Sequence, residues 1–220
     1  MILRNIFISQ SSGNPVTDTE AQNHLRDLDP GNLSQIQMYL KAAVQSIQAE
    51  LISLQLMQAT YELQMDDWLT DPVTSGTPYP FAQVSVGGSS NYITLPKCPL
   101  VSITSVKYDD LTNTEQTLAA SNYFIDSSSM PGRLQWASNA SLPSTFNKPN
   151  CIRIRYVAGF GATGDVDATV QGLIPFPIKA AILMRTGQLY ETRQEEIVGQ
   201  RLDKFSIAVD RLISPYRIPS

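Results

Sequence analysis

The chain has 220 residues and a mass of 24.3 kDa, enough to bury a hydrophobic core without disulfides or metals. Apolar residues make up 42% and charged residues only 16%, a balance that excludes disorder driven by charge. The formal net charge of -4 disfavours tight binding to nucleic acid, because such binding needs many Lys and Arg side chains on the phosphates.

Sites for metals, disulfides and membranes are not expected either. Cys98, Cys151 and His24 are too few for a disulfide framework or a Cys/His zinc site, so we predict two buried thiols, no metal and no cofactor. Residues 1–14 form a polar lead whose short apolar stretch is interrupted by Arg4 and Asn5, unlike a signal peptide. No run approaches the ~20 apolar residues of a membrane span. We expect a soluble protein in a cytoplasm-like compartment.

Two helices are predicted near the start of the chain. Thr17 and Glu20 have the spacing of a capping box, which predicts a short helix that ends at Pro30-Gly31. A long helix follows from Ser34 to about Leu54. Its core-facing stripe consists of Ile36, Leu40, Ala43, Val44, Ile47, Leu51 and Leu54.

The far side of the long helix carries a second, weaker apolar stripe. Its members are Met38, Ala42, Ala49 and Ile52. The only charged residues of this helix are Lys41 and Glu50, whereas a solvated helix normally carries a charged outer face. We therefore predict a second packing partner, either a neighbouring subunit, which we favour, or another layer of the same domain.

From about Leu56 the apolar period changes to two, which is typical of half-buried strands. Further strands are predicted at Tyr92–Leu95, Ile103–Tyr108, Glu115–Leu118, Tyr123–Ile125, Arg133–Trp136 and Cys151–Val157. Short strands at close spacing favour a small antiparallel sheet or a barrel-like region. Residues 71–91, rich in Pro, Gly, Ser and Thr, are predicted to project as a loop or hairpin.

Helices are predicted again at the end of the chain. A buried helix follows Pro177 and closes near Tyr190, and a last amphipathic segment stops at Pro215. The predicted fold class is thus α+β, with a short and a long N-terminal helix, an antiparallel β region and C-terminal helices. We expect residues 1–220 to form a single domain.

One motif points to chemistry. Gly159, Gly161 and Gly164 form a literal G-x-G-x-x-G after a predicted strand, as in dinucleotide-binding proteins. A dinucleotide site needs a helix that opens at the third glycine, but acidic residues and prolines follow there. We predict a glycine-rich turn in which Gly159 and Gly161 serve backbone geometry, through positive φ or close packing. A nucleotide-binding enzyme that uses the three glycines stays the minor alternative.

No catalytic constellation is predicted. His24 has no accompanying Ser or Cys motif. The adjacent carboxylates Asp66-Asp67 and Asp109-Asp110 are expected in solvated turns, because neighbouring side chains of a strand point to opposite faces. The chain is not expected to be an enzyme.

Several segments, in order, resemble one protein family. They are Leu95–Tyr108 (LPKCPLVSITSVKY), Glu115–Leu118, Pro131–Leu134, Ile152–Gly161 and Pro177–Leu183, with the opening Pro15–Thr17 and the close Leu212–Arg217. Together they resemble the head-tail connector proteins of tailed bacteriophages, also called adaptor or head-completion proteins. The resemblance covers almost the whole chain, although none of its motifs is diagnostic alone.

The resemblance implies a structural virion protein. It implies a homo-oligomeric ring, expected to be dodecameric, that docks under the portal protein of the head and presents a platform to a tail, stopper or nozzle protein. DNA would pass the channel only as transient cargo. The implied location is the virion neck, after assembly in the host cytoplasm. Another neck protein, such as a tail terminator, is the alternative.

Two surfaces are predicted for these contacts. The subunit interface is assigned to Met38, Ala42, Ala49 and Ile52. Portal docking is assigned to the C-terminal segment, residues 201–220, with Phe205, Val209, Leu212, Ile213, Tyr216 and Arg217. Tyr and Arg are favoured interface anchors, which supports the second assignment. The alternative is a terminal helix folded back on its own core.

Overall fold

The computed structural model describes residues 4–11, 13–68, 92–138, 140–161, 171–191 and 203–217. The chain forms two compact units, a sheet unit of residues 1–11 and 58–163 and a helical unit of residues 12–57 and 164–219. The predicted α+β class is confirmed. The predicted loop at residues 71–91 lies outside the described residues.

The described part of the sheet unit contains two antiparallel sheets. Their strands are β1 Arg4–Gln10, β2 Ala59–Met65, β3 Tyr92–Thr94, β4 Leu100–Asp109, β5 Glu115–Thr117, β6 Tyr123–Asp126, β7 Arg133–Trp136 and β8 Ile152–Ala158. One sheet has the order β1-β2-β8-β4-β5 and the other β3-β7-β6. The predicted antiparallel strands are confirmed, with ends that differ by a few residues.

Strand β8 lies at the centre of the larger sheet, between β2 and β4. Ile152, Ile154 and Tyr156 of β8 are buried, and the residues between them face the other side, as the period of two predicts. The Tyr156 ring stacks on that of Tyr61 with 5.7 Å between their centroids. Apolar alternation thus positions β8 over the core of this unit.

Strand β1 was not predicted, since residues 1–14 were expected to be a polar lead. Its side chains are exposed or half-buried, and three apolar residues in a row give no alternation. Pairing with β2 holds the strand in place. The Tyr156 hydroxyl also donates to Oδ1 of Asn5 at 3.0 Å, and Phe7 meets the Tyr61 ring edge-on. Long-range pairing, not local pattern, makes this strand.

The described part of the helical unit contains α1 Asp18–Leu25, α2 Leu33–Glu50, α3 Phe176–Glu191 and α4 Asp203–Ile213. The predicted capping box is confirmed: the Glu20 amide donates to Oγ1 of Thr17 at 3.1 Å, and the Thr17 amide donates to Oε2 of Glu20 at 2.8 Å. The predicted helix end at Pro30-Gly31 is wrong. Helix α1 ends at Leu25, with Arg26 in the left-handed region, and Pro30 begins a 3₁₀ turn into α2.

Helix α2 also ends earlier than predicted, at Glu50 instead of near Leu54. The Gln48 side chain binds the turn that follows, where its Oε1 accepts the Leu56 amide at 2.9 Å. Leu51 and Leu54 are still buried, so the apolar pattern continues beyond the helix. Helix α2 packs against α1 and α3, and α3 packs against α4.

Candidate subunit interface

The buried side of α2 is the one that packs inside the helical unit. Ile36, Leu40, Ala43 and Ile47 are completely buried there. Their spacing of three to four residues brings them to one side of the helix. This stripe was predicted from the sequence, and it leaves the opposite side of α2 as the surface to be explained.

The opposite side, called here the outer face of α2, is defined by Met38, Ala42 and Ala49. All three are exposed, Met38 by 56%, and they lie on average about 150° around the helix from the buried stripe. The fourth predicted residue, Ile52, is also exposed but lies in the turn after the helix. The structure thus brings three of the four predicted interface residues together on one helical face.

The outer face of α2 is nearly uncharged. Of the two charged residues of α2, Glu50 is half-buried and paired within the unit, where Arg185 and Arg217 contact its carboxylate at 2.8 Å and 3.3 Å. Lys41 is therefore the only charge of α2 left on its exposed side. A helical face with one charge, an uncharged Gln45, an exposed Met38 and two small Ala side chains, uncovered in the described part of the unit, has the chemistry of a protein contact surface.

The predicted portal-docking residues fall into different environments. Val209 is 2% and Ile213 0% exposed, so both side chains pack inside the helical unit. Leu212 and Tyr216 are half-buried. The side chain of Phe205 lies outside the described residues. For Val209 and Ile213 the alternative, a helix folded on its own core, describes the structure better.

Arg217 remains accessible but is held by the subunit itself. Its Nη1 contacts Oδ1 of Asp210 at 2.7 Å, and its Nη2 contacts Glu50 at 3.3 Å. These contacts tie residues 214–217 to α2 and α4. Docking through the C-terminal segment stays a prediction, carried by Leu212, Tyr216 and Arg217.

The glycine-rich turn adopts the predicted backbone geometry. Gly159 has φ 126° and Gly161 φ 104°, values that favour glycine. The Gly159 amide donates to the carbonyl of Pro99 at 2.9 Å, so this donor serves the fold and not a phosphate. Gly164 and the residues after it lie outside the described part of the chain.

Asp109 was expected in a solvated turn, and this prediction is wrong. Its side chain is only 5% exposed and accepts two hydrogen bonds from Arg153, at 2.8 Å and 2.7 Å. It also forms an ion pair with Lys148 at 2.9 Å. Hydrogen bonds from the Arg153 guanidinium lower the pKa of Asp109 to about 2. Alternation along β8 predicts on which face Arg153 lies, but its partner depends on the pairing of β8 with β4.

The remaining candidate groups show no reactive arrangement in the described ranges. Cys98 and Cys151 are buried, as predicted, and burial raises the pKa of the Cys98 thiol to about 11. His24 is exposed on α1. Among the described residues no three His, Cys, Asp or Glu side chains lie where they could hold a metal ion. None of the described helices has the length and apolar character needed to cross a membrane.

Comparisons with known proteins find structural but no sequence relatives. No protein-family model and no curated protein matches the chain. A chain in the neck of an empty gene transfer agent (GTA) particle, computed with C6 symmetry, matches with TM-score 0.66 and 21% identity over 99% of this chain and 95% of that one. A chain in the neck of the native GTA particle, computed with C12 symmetry, matches with TM-score 0.61 and 20% identity over 99% and 95%. A chain of the native GTA virion matches with TM-score 0.62 and 20% identity over 96% and 95%. The chain shares its fold with these proteins over nearly its whole length.

Proposed function

We propose that this chain is a structural subunit of a ring in the neck of a tailed-phage-like particle, where it connects the head to the tail as an adaptor. The observation that carries the proposal is the fold shared with a GTA neck chain over 99% of the sequence at TM-score 0.66. The resemblance of its ordered segments to head-tail connectors supports the same role from the sequence alone.

Symmetry and surface chemistry support a ring. The similar neck structures were computed with C6 and C12 symmetry, which agrees with a dodecamer. Each subunit of a closed ring needs contacts on two flanks, and the exposed, nearly neutral outer face of α2 supplies one such surface.

A ring between head and tail would have a partner on each side. The whole chain would act as one connector in the virion, with the portal protein on one side, a tail, stopper or nozzle protein on the other, and no catalytic step. The net charge of -4 suits a DNA channel, because phosphates are repelled from an acidic surface and slide past it. A tail terminator would instead bind the end of the tail tube.

Replacing Ala42 and Ala49 together by Glu tests the ring. Both residues are exposed in the single subunit, so the variant should fold and melt like the wild type. In a ring, two unpaired carboxylates would be buried in each interface, at a cost that prevents assembly. Native mass spectrometry and thermal melting measure the two effects.

The matched control replaces Ala119 and Ala120 by Glu, the same chemical change at two exposed residues of the sheet unit. This control should assemble. Unimpaired rings from the Ala42 and Ala49 variant would refute the interface, and a wild-type protein that never assembles would refute the ring. Pull-down with portal against pull-down with tail tube separates the adaptor from the tail terminator.

A further inference from the structure

A cyclic ring requires two different patches on each subunit. In a head-to-tail contact, one patch of a subunit meets another patch of the next, whereas a two-fold contact uses a single patch twice. If the outer face of α2 is the first patch, its counterpart must be another exposed apolar surface. The following inference rests on the proposed ring.

Phe176, the first residue of α3, is the strongest candidate for that counterpart. Its side chain is 83% exposed, although Phe is a residue that folded chains normally bury. Pro175 and Pro177 flank it, and their rings restrict the backbone on both sides. The carbonyl of Pro175 also accepts the amides of Ile178 and Lys179, at 3.0 Å and 3.2 Å. A rigid backbone thus presents a large apolar ring to the outside.

The direction of Phe176 fits a head-to-tail contact. The buried side of α3 contains Ile178, Ala181, Ile182 and Thr186. Phe176 lies about 160° around the helix from Ile178, away from that buried side. Gly187 lies on the same side as Phe176 but is covered by α1: a Cβ there would be 3.7 Å from Nε2 of His24. The first turn of α3 is thus open on this side, whereas α1 covers the helix at Gly187.

The outer face of α2 points the other way. Helices α2 and α3 pack against each other, and Arg185, which lies about 180° around α3 from Phe176, forms an ion pair of 2.8 Å with Glu50 of α2. The outer face of α2 and Phe176 therefore lie on opposite sides of the α2–α3 pair. Two unlike patches on opposite flanks are what a closed ring requires.

We propose that Phe176 of one subunit packs against the outer face of α2 of the next subunit, over Ala42 and beside Met38. The side chains of Ala42 and Ala49 are small, so an aromatic ring can approach the α2 backbone closely there. Met38 supplies an adaptable thioether for contact with an aromatic edge, and the ammonium of Lys41 can lie over the ring face. An aromatic anchor packed against small side chains has the chemistry of an interface hot spot.

A second copy of this chain fits the outer face of α2. That face carries a single charge, Lys41, and the large exposed side chain of Phe176 on the opposite flank is apolar and uncharged. One phenyl ring buries only about 150–250 Å², well below the ~800 Å² that each partner of a stable interface buries. Phe176 thus acts as an anchor within a larger contact between copies.

Disulfide trapping tests the proposal. The double variant Ala42→Cys with Phe176→Cys lacks the Phe176 ring, so it is oxidised at a protein concentration well above the one at which the wild type forms rings. Under these conditions each head-to-tail contact brings the two thiols of different subunits together. Mild oxidation should give a ladder of covalent oligomers on a non-reducing gel, with steps of the 24.3 kDa chain. The wild type and both single variants are the controls. The native Cys98 and Cys151 are buried, so the wild type should give no ladder.

A second variant keeps the test independent of disulfide geometry. Phe176→Ala should weaken ring assembly roughly tenfold or more, as expected for an interface anchor, and leave melting unchanged. Phe124→Ala, at an exposed Phe of β6, is the matched control and should assemble normally.

The outcomes separate this inference from the ring itself. The inference would be overturned if Phe176→Ala formed rings normally and the double variant gave no covalent ladder. The proposed ring would then still stand. If Ala42→Cys alone gave covalent dimers but no higher oligomers, two α2 helices would be in contact with each other. This result would also overturn the inference. Absence of any ring in the wild type would refute the proposed function first.

Discussion

Asp109 is an acidic residue whose role depends on its partners across the sheet. Its carboxylate is almost completely buried and is held by Arg153 and Lys148. We predict that Asp109→Asn lowers the free energy of unfolding by about 1–3 kcal/mol near neutral pH, because hydrogen bonds to a charged group are lost. Urea unfolding measures this change.

The same pair predicts a pH dependence. Arg153 lowers the pKa of Asp109 to about 2 in the folded chain, while an unfolded Asp titrates near ~3.9. The contribution of the carboxylate is therefore complete above pH ~4 and is lost as the pH falls toward ~2. The stability difference between wild type and Asp109→Asn should shrink over that range. Asp67→Asn, at an exposed residue, is the control. If the stability difference between wild type and Asp109→Asn persisted at pH ~2, the ion pair of Asp109 would not be its cause.

Gly159 lies at a position where the backbone conformation favours glycine. With φ at 126°, its replacement by Ala should cost about 1 kcal/mol or more. Gly172→Ala is the control, because a Cβ there meets nothing within 4 Å, and it should be nearly neutral.

The same variant tests nucleotide binding. A nucleotide at 100 times its Kd would add about 2.7 kcal/mol of stability, and we expect no such shift in thermal melting. A nucleotide that stabilises the wild type but not Gly159→Ala would contradict the structural role of this turn.

Helices and strands whose ends depend on neighbouring residues could be predicted from the sequence. The alternation of Arg133–Trp136 gave the bounds of β7, and the Thr17 capping box gave the start of α1. Strand β1 and the partners of Asp109 were missed, because both depend on pairing between distant segments. The end of α2 was missed since Leu51 and Leu54 stay buried after the helix has ended.

The C-terminal segment combines internal packing with an accessible end. We predict that Arg217→Ala lowers the free energy of unfolding by no more than about 1 kcal/mol, because its ion pairs to Glu50 and Asp210 are largely exposed. If the segment docks on the portal, the variant should lose portal binding in a pull-down.

The control for this prediction is Arg211→Ala, which removes an exposed Arg of α4. It should keep both its melting behaviour and its portal binding. Normal portal binding by Arg217→Ala would remove Arg217 from the docking surface. A large loss of stability would instead assign Arg217 to packing within the subunit.

For the whole molecule, sequence and fold support the proposed neck role through different evidence. The ordered segments resemble head-tail connectors, and the fold matches GTA neck chains over nearly the full length. The predicted interface face could be located from the sequence because small and apolar residues recur on one side of α2. Phe176 was not predicted, since its exposure depends on how the other helices of the unit pack around α3.

Native mass spectrometry of the wild-type protein mixed with the portal protein tests the proposed ring. We predict a complex in which the portal carries a closed ring of copies of the 24.3 kDa chain, expected to be twelve in agreement with the C12 neck. A chain that stays monomeric and leaves the mass of the portal unchanged would refute the proposed ring and its docking.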